Sequence, residues 1–352
     1  MNKYDERYDI RLAKPSEIKA IMQFINQHWK PGHIMATDEE LFEYEFVEKD
    51  AVNMIIAWDK NTKTIEALSG FLPCSHTSDS AKLDVWGSFW KVNDSGRNMT
   101  FLGVELIRRL TELLHCRTHL GIGINPNTTL PIRKIAFQEK TAKMKHYYFL
   151  NPQIKNYRIA VIKRIKNSAM EDIISAGAKY TEFHSVDEIK RHFDIEKLNV
   201  IPYKDFWYIN KRFFQHPYFS YIVYGLYNAN NQVTALLIMR EVEQFERKIL
   251  RIVDYIGDQS LFAETNAMWL KLMQQNQYEY IDFYTFGFSE PSIFRAGFTL
   301  KDENDINIIP NYFEPFLQEN VDIWVRYSID GTLFCKADGD QDRPNQKHPL
   351  YH

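Results

Sequence analysis

Cysteine is scarce in this chain of 352 residues. Its three cysteines, Cys74, Cys116 and Cys335, are widely spaced and odd in number, which argues against a disulfide framework and fits a reducing compartment. No run of about 18 or more apolar residues occurs, so we expect no segment to span a membrane. The N-terminal residues lack the apolar stretch of a secretory signal. These absences predict a cytoplasmic protein.

An excess of positive charge is also missing. Lys and Arg total 43 against 46 Asp and Glu, a formal net charge of −3, which gives no sign of a nucleic-acid surface. The remaining composition is ordinary for a globular protein, with 45% hydrophobic and 25% charged residues. The length predicts two domains. Aromatic residues make up 14% of the chain, which predicts aromatic-lined cores or grooves.

Patterns typical of strands and helices alternate along the chain. In the first half, apolar spacing predicts strands at 8–12, 54–58, 66–73, 82–92, 119–124 and 145–151. Helices are predicted after Pro15, after Asp38 and at 104–114. In the second half the order recurs in outline, with predicted segments at 221–227, 232–242, 248–255, 261–273, 280–284, 289–296, 321–327 and 332–336. A tandem duplication of one α+β unit, divided at Pro152, is the simplest account.

The segment 82–137 carries the clearest functional signal. A predicted strand, 82–92, delivers a polar turn, 93–103, onto the start of a helix. The first N–H groups of a helix have no intrahelical partner, and the helix dipole adds partial positive charge there. This arrangement predicts an anion site, and a pyrophosphate is its natural occupant.

The order of elements around this segment resembles the acyl-CoA N-acyltransferase fold, called the GNAT superfamily. In that family a fourth strand leads into a pyrophosphate loop, Arg/Gln-x-x-Gly-x-Gly/Ala, at the start of a helix. An Asn follows the fifth strand, and a short helix ends in Gly-Phe. Here Gly103 matches the last Gly of the loop, Asn125 matches the Asn, and Ala136-Phe137 stands where Gly-Phe stands.

Some motif positions depart from the family pattern. Asn98 occupies the Arg/Gln position, with Arg97 one residue off, and Phe101 occupies the position of the first Gly. The resemblance covers 8–151 well and 221–327 in outline. It implies an α+β protein of two GNAT-like units in tandem, each a mixed, mostly antiparallel sheet flanked by helices. The units would span 1–152 and 153–352.

The resemblance implies that coenzyme A, as acyl-CoA, binds to the first unit as a co-substrate. Amides of the fourth strand, which separates from the fifth, would hold pantetheine and polarise the thioester carbonyl. Amides of the loop would hold the pyrophosphate. As an alternative, the loop is an ordinary strand-to-helix turn that binds no pyrophosphate. One of the two residues Asn125 and Asn127 could likewise serve only to cap a helix. The implied CoA-binding residues are Phe89, Trp90, Lys91, Val92, Arg97, Asn98, Met99, Thr100, Phe101, Leu102, Gly103, Asn125 and Asn127.

A closer resemblance is to the tandem-domain sugar N-acyltransferases of bacterial surface-polysaccharide synthesis. The segments 29–34, 208–218 and 336–344 carry it. It implies transfer of an acyl group, of 3-hydroxyacyl type, to the amine of a dTDP-linked amino dideoxyhexose for O-antigen or lipopolysaccharide synthesis. The second unit has a single Gly in the equivalent loop, 254–264. It is therefore similar to a degenerate copy that, with the C-terminal tail, shapes the acceptor site.

The resemblance further implies substrate-binding residues around that acceptor site. The alternative to substrate binding by Trp86 is packing in the core. The alternative to a role of the C-terminal tail in the acceptor site is that the tail is a solvated segment. Arg343 is expected to pair with a diphosphate bidentately. No metal site is expected, since the tail lacks the later Glu and the flanking helices of an EF-hand. The implied substrate-binding residues are Trp86, Tyr208, Arg212, Asp338, Asp340 and Arg343.

The acceptor ammonium must lose a proton before its nitrogen attacks a thioester, so a nearby base is expected. The candidates are His33, in a Pro-Gly-His turn, and Asp84, on the fourth strand; each could instead be a surface charge or a helix-end hydrogen bond. The family's usual leaving-group acid, a Tyr, is replaced by Ile132, and by Ile293 in the second unit. Neither isoleucine can donate a proton.

Two other functions fit the same resemblance. An aminoacyl-tRNA-dependent peptidyl transferase also uses paired units of this fold, but it predicts a basic surface and a helical arm. A degenerate module that binds a nucleotide or glycan without catalysis would explain the missing loop Arg and the missing Tyr. The preferred prediction is an enzyme with small-molecule substrates, monomeric or homodimeric, with neither a nucleic-acid nor a membrane partner.

Overall fold

The computed structural model describes residues 2–165 and 177–347. In the first half the helices are α1 Lys3–Arg7, α2 Ile18–Phe24, α3 Ile34–Thr37, α4 Glu39–Phe46, α5 Leu102–Leu114 and α6 Thr129–Phe137. The strands of this half are β1 Tyr8–Ala13, β2 Val47–Glu48, β3 Ala51–Asp59, β4 Thr64–Pro73, β5 Asp84–Val92, β6 Thr118–Ile122, β7 Lys140–Lys143 and β8 Lys145–Leu150. A 3₁₀ turn, Pro15–Glu17, precedes α2, and a π-helical segment, Ile25–Trp29, follows it.

The second half repeats this plan. Its helices are α7 Val186–His192, α8 Phe206–Ile209, α9 Asn266–Asn276 and α10 Glu290–Arg295. Its strands are β9 Tyr180–Phe183, β10 Ile222–Tyr227, β11 Val233–Gln244, β12 Arg247–Gly257, β13 Tyr278–Phe286, β14 Thr299–Leu300, β15 Tyr312–Phe313, β16 Phe316–Leu317, β17 Trp324–Tyr327 and β18 Phe334–Cys335. Short 3₁₀ segments lie at Ile195–Lys197 and Gln259–Glu264, and a π-helical segment lies at Asn210–Phe214.

Two large sheets form the two units. The first has the order β1-β3-β4-β5-β6-β17-β7, with β2 beside β3. The second has the order β14-β8-β13-β12-β11-β10-β9, with β18 beside β13. The pairs β5–β6 and β12–β13 are parallel, and the other named pairs in these sheets are antiparallel. The predicted α+β class with two mixed, mostly antiparallel sheets is therefore confirmed.

The two units exchange one strand each. β8, from the first half of the chain, pairs with β13 in the second sheet. β17, near the C-terminus, pairs with β6 and β7 in the first sheet. The sheets therefore do not divide at Pro152, and the segment predicted at 321–327 completes the first unit rather than closing the second. Alternating apolar residues identify a strand but leave its partner open, because any sheet with a buried face satisfies the pattern.

A core between the sheets fixes the units against each other. Trp86 of β5 and Leu120 of β6 pack with Tyr284 of β13, Val325 of β17 and Phe334 of β18. All five side chains are at most 1% exposed. Burial of this much apolar surface across the interface makes the two units one body.

Most predicted elements are present, with two local differences. The helix predicted at 261–273 is interrupted, because Thr265 separates the 3₁₀ segment Gln259–Glu264 from α9 and its hydroxyl donates to the Phe262 carbonyl at 2.6 Å. The segment 158–163, which has a strand-like sequence, contributes a single bridge between Val161 and Ile308. No helix within the described residues is long and apolar enough to cross a membrane.

Candidate functional site

The first sheet opens between β5 and β6. These parallel strands pair from Asp84 to Trp86 on β5 and from Thr118 to Leu120 on β6, and then separate. Just beyond that point Gly70 of β4 faces two residues of β5, Ser88 and Phe89, because Ser69 pairs with Trp90 and Phe71 with Gly87. Such a bulge bends its strand and increases the local twist. It turns the end of β5 away from β6 and leaves its backbone groups open to a ligand.

A cavity of about 690 Å³ lies at this opening, between the two units. The first unit contributes the bulge of β5, the end of β6 and the start of α6. The second unit contributes the middle of β11 and β12, the 311–314 segment and the tail. Its lining includes His33, Gly87, Ser88, Phe89, Trp90, Lys91, His119, Gly121, Asn125, Arg133, Arg240, Arg251, Asn311, Arg326, Lys336, Asp340, Asp342 and Arg343.

The equivalent opening of the second sheet is filled. There β12 and β13 pair as far as Ile252 and Phe283. Beyond that point β18 pairs with β13, and the amide of Ala337 donates to the Val253 carbonyl of β12 at 2.7 Å. The chain itself thus satisfies the strand edges that a ligand would use. Within the described residues, the open pair of parallel strands is that of the first unit.

Gly103, at the start of α5, is needed for packing against β5. A Cβ added there would lie 3.2 Å from Nε1 of Trp90 and 3.1 Å from Cγ2 of Val92. The Trp90 indole also donates to the Gly103 carbonyl at 2.9 Å. Phe101, just before the helix, has a φ of 62° and is 74% exposed. The missing side chain of Gly103 therefore makes room for an indole, a packing role that its match to the last Gly of the family loop does not predict.

The loop before α5 is tied to the N-terminal segment. Asn98 donates to the Asn93 carbonyl at 2.9 Å, and the amide of Met99 donates to the Tyr8 hydroxyl at 3.3 Å. The carbonyls of Thr100 and Arg97 accept from Tyr4 and Arg7, at 2.7 and 2.6 Å, and Leu102 is buried in the core under α5. These contacts hold the loop in shape. The cavity lining includes Phe89, Trp90 and Lys91 but not this loop.

Asn125 caps the turn that leads into α6. Its side-chain oxygen accepts from the amides of Asn127 and Thr128, at 2.9 and 3.2 Å. Asn125 also lines the cavity, whereas Asn127 is exposed. The Asn125 side chain therefore holds a turn before the helix, and the N-cap of α6 is Thr128.

His33 lines the cavity beside Phe89. The two rings meet edge to face, with centroids 5.5 Å apart. Nδ1 of His33 accepts from the Met35 amide at 3.2 Å, which caps α3. Burial, with Arg343 and Lys30 nearby, lowers the pKa of His33 to about 4. A neutral ring that accepts at Nδ1 carries its proton on Nε2, so the geometry makes His33 a hydrogen-bond donor and not the predicted base.

Asp84 lies in a buried ion pair away from the cavity lining. Both carboxylate oxygens accept from Arg117, and one also accepts from the Tyr203 amide at 2.7 Å. Its side chain is 0% exposed. A carboxylate held in this way joins β5 to the second unit and has no path to a substrate amine. The catalytic role predicted for Asp84 does not fit this position.

The C-terminal tail returns to the opening in the first sheet. The Ser88 hydroxyl donates to Asp340 at 2.8 Å. A Cβ added to Gly339 would lie 2.9 Å from Ile122 and 3.5 Å from Trp86. The tail therefore crosses the separated strands and is not a solvated segment. Arg343 also reaches the cavity, but both branches of its guanidinium pair with Glu45, so it is not free to bind a diphosphate bidentately as predicted.

Four other predicted substrate contacts support the tail from behind or pack in the core. Arg212 donates to the carbonyls of Ala337 and Asp342, at 3.2 and 2.8 Å. Asp338 forms an ion pair with Lys204 at 2.7 Å, and burial raises its pKa to about 6. Tyr208 lies in the core of the second unit, and Trp86 lies in the core between the units. None of the four is in the cavity lining among the described residues.

A buried group of basic residues lies where β5 and β6 separate. A Cβ added to Gly87 would lie 2.5 Å from Nη2 of Arg326, and one added to Gly121 would lie 2.5 Å from Nε of Arg326. The guanidinium of Arg326 therefore covers both glycines. It shares Glu139 with Arg133, at 3.0 and 2.9 Å. Burial and Arg133 lower the pKa of Arg326 to about 9.

The polar groups at this position are incompletely paired. Nη1 of Arg133 and both ring nitrogens of His119 have no hydrogen-bond partner within the described residues. Two guanidiniums share one carboxylate, so this part of the cavity carries excess positive charge. Sequence reasoning missed Arg326, Arg133 and His119 because they come from three different elements, β17, α6 and β6. The glycines at the point where β5 and β6 separate were the available signal.

Comparisons with known proteins identify the fold. A GCN5-related N-acetyltransferase from Anabaena variabilis ATCC 29413 matches with a TM-score of 0.52 and 9% identity, over 91% of this chain and 72% of that one. A conserved protein of unknown function from Enterococcus faecalis V583, a probable N-acyltransferase, matches with a TM-score of 0.52 and 8% identity, over 92% of this chain and 72% of that one. This chain therefore has a GNAT-like fold, in agreement with the sequence-based prediction. No protein-family model and no curated protein sequence matches it.

Proposed function

We propose that this GNAT-fold chain is an N-acyltransferase that moves an acyl group from acyl-CoA to the amine of a nucleotide-linked amino sugar. The observation that carries the proposal is the cavity of about 690 Å³ at the separated strands β5 and β6, which the second unit closes. The second unit's own opening is filled by β18. One site for acyl-CoA per chain, in the first unit, follows from this difference.

The acyl thioester would lie against the bulge of β5. Ser88 and Phe89 have no antiparallel partner of their own across the bulge, since both face Gly70. An amide directed at the developing oxyanion stabilises the tetrahedral intermediate, by about 2.7–4 kcal/mol for one donor. The Nε2–H of His33, beside Phe89, is available as a second donor. The usual tyrosine acid is absent at Ile132, so the intermediate must expel CoA without it.

Asp340 is the proposed proton acceptor. It lines the cavity next to the bulge, where the Ser88 hydroxyl already donates to it. Its carboxylate would hold the acceptor ammonium, take one proton from it and release that proton to water, so that the neutral amine attacks the thioester carbon. As the new C–N bond forms and the C–S bond breaks, the nitrogen loses a second proton, which Asp340 passes to the CoA thiolate. Positioning and exclusion of water between the units provide the rest of the rate enhancement.

The acceptor is proposed to be anionic as well as an amine. On the second unit's side the cavity is lined by Arg240, Arg251 and Lys336, although the whole chain is slightly acidic. A diphosphate-linked sugar, of which a dTDP-linked amino dideoxyhexose is the predicted example, combines an amine with two negative charges. The acyl group, predicted to be of 3-hydroxyacyl type, and the place of the reaction in surface-polysaccharide synthesis are parts of the same proposal.

Mass spectrometry of products is the direct test. The protein would be incubated with a panel of acyl-CoAs and amino-sugar nucleotides, with the matching hydroxyl-sugar nucleotides as controls. We expect one amine acceptor to gain the acyl mass and CoA to be released in equal amount. Acylation in none of the combinations, with no thermal stabilisation by millimolar CoA or acyl-CoA, would favour a non-catalytic binding module. That alternative is consistent with Trp90 covering Gly103 at the start of α5.

A further inference from the structure

Two arginines face each other across the wall that the second unit gives to the cavity. Arg240 of β11 pairs directly with Arg251 of β12. Like charges directly opposite on a sheet repel. Asp342 of the tail holds Arg240 at 2.7 Å, and Asp282 of β13 holds Arg251 at 2.7 Å. Each carboxylate accepts hydrogen bonds from two nitrogen atoms of its arginine, so both carboxylates are held in these pairs.

Lys336 brings a third positive charge to this wall. It is 3% exposed and lines the cavity. The charged groups that face it are Arg240, Arg251, Asp282 and Asp342. Both carboxylates form their ion pairs with the arginines, Asp342 with Arg240 and Asp282 with Arg251. When Lys336 is protonated, three cations therefore face two carboxylates, which leaves one positive charge in excess.

Asn311 adds an unpaired amide at the same wall. It is 3% exposed, and its Oδ1 and Nδ2 both lack a hydrogen-bond partner within the described residues. Its backbone carbonyl accepts from Nη1 of Arg251 at 3.0 Å, which fixes it beside the arginine pair. A buried polar side chain without partners is destabilising. A ligand oxygen that accepts from Nδ2 would remove that penalty.

We propose that Lys336 and Asn311, beside the paired Arg240, form a binding site for the phosphate groups of the acceptor, on the side of the cavity that the second unit contributes. The assignment of the phosphates to the acceptor rests on the function proposed above. Phosphate oxygens accept from the Lys336 ammonium and the Asn311 amide without displacing either carboxylate. The site replaces Arg343 and Arg212, which the sequence suggested and which other groups already occupy.

A bound phosphate would change the protonation of Lys336. Burial, with Arg251 nearby, lowers the pKa of Lys336 to about 7. An anion beside the ammonium raises that pKa again. The free protein then holds a mostly neutral Lys336 at pH 8 and a charged one at pH 6, whereas the complex holds it charged at both. Binding should therefore take up close to one proton at pH 8 and almost none at pH 6.

Isothermal titration calorimetry with dTDP-glucose tests the site. This probe has the diphosphate but no amine, and its diphosphate does not titrate between pH 6 and 8. Measurements in two buffers of different ionisation enthalpy give the proton uptake. We expect binding with uptake that rises from pH 6 to pH 8. Lys336→Met should weaken binding about tenfold or more and abolish the uptake, and Asn311→Leu should weaken binding with the uptake retained.

Two variants make the result specific. Lys336→Arg keeps the positive charge and should bind dTDP-glucose without proton uptake. This variant also tests the role of Lys336 in proton uptake if Lys336→Met does not fold. Lys248→Met removes a lysine of β12 outside the cavity lining that pairs with Glu241 at 3.3 Å, and should leave the affinity and uptake unchanged. An equal loss in Lys248→Met would show an unspecific charge effect and overturn the site.

The other outcomes separate the site from the proposed function. Absence of dTDP-glucose binding, or binding with the same proton uptake in Lys336→Met, overturns the site. The same uptake with CoA or with inorganic phosphate alone overturns its assignment to the acceptor. Normal uptake with dTDP-glucose, together with no stabilisation by acyl-CoA and no acylated product, would refute the transferase and leave the phosphate site standing.

Discussion

At the scale of single residues, this site depends on glycines as much as on charges. Gly87 and Gly121 stand where β5 and β6 separate, and Arg326 covers both. A side chain at either position would exclude the guanidinium from its place beside Glu139. Sequence reasoning considered glycine at the helix start, where Gly103 in fact accommodates Trp90. The glycines of the strands are the ones that shape the cavity.

Gly87→Ala should damage both stability and activity. The new methyl group would lie 2.5 Å from Nη2 of Arg326 and 2.8 Å from Nε2 of His119. Overpacking of this kind costs about 1–3 kcal/mol, measurable as a lower urea midpoint. Gly70→Ala on the neighbouring strand is the control, since its methyl group comes no closer than 3.1 Å to the ring of Phe46. Equal stability of the two variants would show that Arg326 moves without penalty.

Asp340→Asn should reduce turnover without reducing acyl-CoA binding. An amide cannot accept the ammonium proton, and loss of a general base lowers kcat by about 10²–10⁴-fold. Thermal stabilisation by acyl-CoA reports on the first unit alone and should be unchanged. The comparison variant is His33→Gln, which keeps a donor near Phe89 and should lose less. Full turnover in Asp340→Asn would leave proximity as the main catalytic effect.

Buried histidines predict a loss of stability in acid. Burial lowers the pKa of His33 and His146 to about 4, and that of His119 and His216 well below the ordinary 6.5. A depressed pKa in the folded state contributes stability above pH 6.5 that is lost as pH falls toward 4. Each histidine can add up to about 1.4 kcal/mol per pH unit to this slope. Urea unfolding of His119→Gln should show a flatter decline between pH 6.5 and 5 than the parent, and an identical decline would contradict the prediction.

At the scale of elements, the tail is the piece that assembles the site. Arg212 holds it on the second unit, and the Arg343–Glu45 pair holds it on the first. Its strand β18 fills the second unit's opening, and Asp340 then faces the first unit's opening. The tail therefore explains why one unit is open and the other closed. The tail lies at the groove between the units, where Asp340 accepts from Ser88, and its role in acceptor binding stays a prediction.

The Arg343–Glu45 pair should be essential for holding the tail. Both side chains are 6% exposed, so Glu45→Ala would leave a buried guanidinium with Asp340 at 3.5 Å as its remaining carboxylate. Breaking a buried pair in this way costs about 3–5 kcal/mol. The double variant Glu45→Ala/Arg343→Met should recover part of that loss. Urea unfolding of the two singles and the double gives the coupling, and additive losses would show that the pair contributes little.

At the scale of the whole molecule, the strand exchange makes the two units inseparable. β8 completes the second sheet from the first half of the chain, and β17 completes the first sheet from the second half. The cavity lies between the units, and the core around Trp86 and Phe334 fixes their distance. The two sides of the cavity thus keep a fixed relation. Catalysis by the positioning of two reactants requires such rigidity.

Separate fragments of the chain should not fold. The fragments 1–152 and 153–352 follow the boundary that the sequence suggested, and each lacks a strand of its own sheet. We expect neither to show a cooperative urea transition, whereas the intact chain should unfold in one transition by circular dichroism and fluorescence. Co-expression of both fragments is the control, since it restores every strand. A fragment that unfolds cooperatively by itself would contradict this account.

The sequence by itself determined the elements and the fold class. Apolar spacing located β5, α5 and β6 to within a few residues, because periodicity reflects burial of one face and is local. The order of elements predicted two GNAT-like units, and the single Gly in the loop of the second unit suggested that this copy had lost its cofactor site. Asn125, Asp340 and His33, which the sequence suggested for CoA binding, substrate binding and catalysis, line the cavity.

The tertiary structure alone decided which side chains meet. Arg326, Arg133 and His119 lie in separate segments, as do Lys336, Asn311 and Arg240, so no spacing in the chain relates them. The same holds for Asp84, whose partner Arg117 follows the next helix. Arg117 pairs with the carboxylate that the sequence suggested as a base. Long-range pairing depends on strand partners and on the exchange of β8 and β17, and these are properties of the assembled sheets.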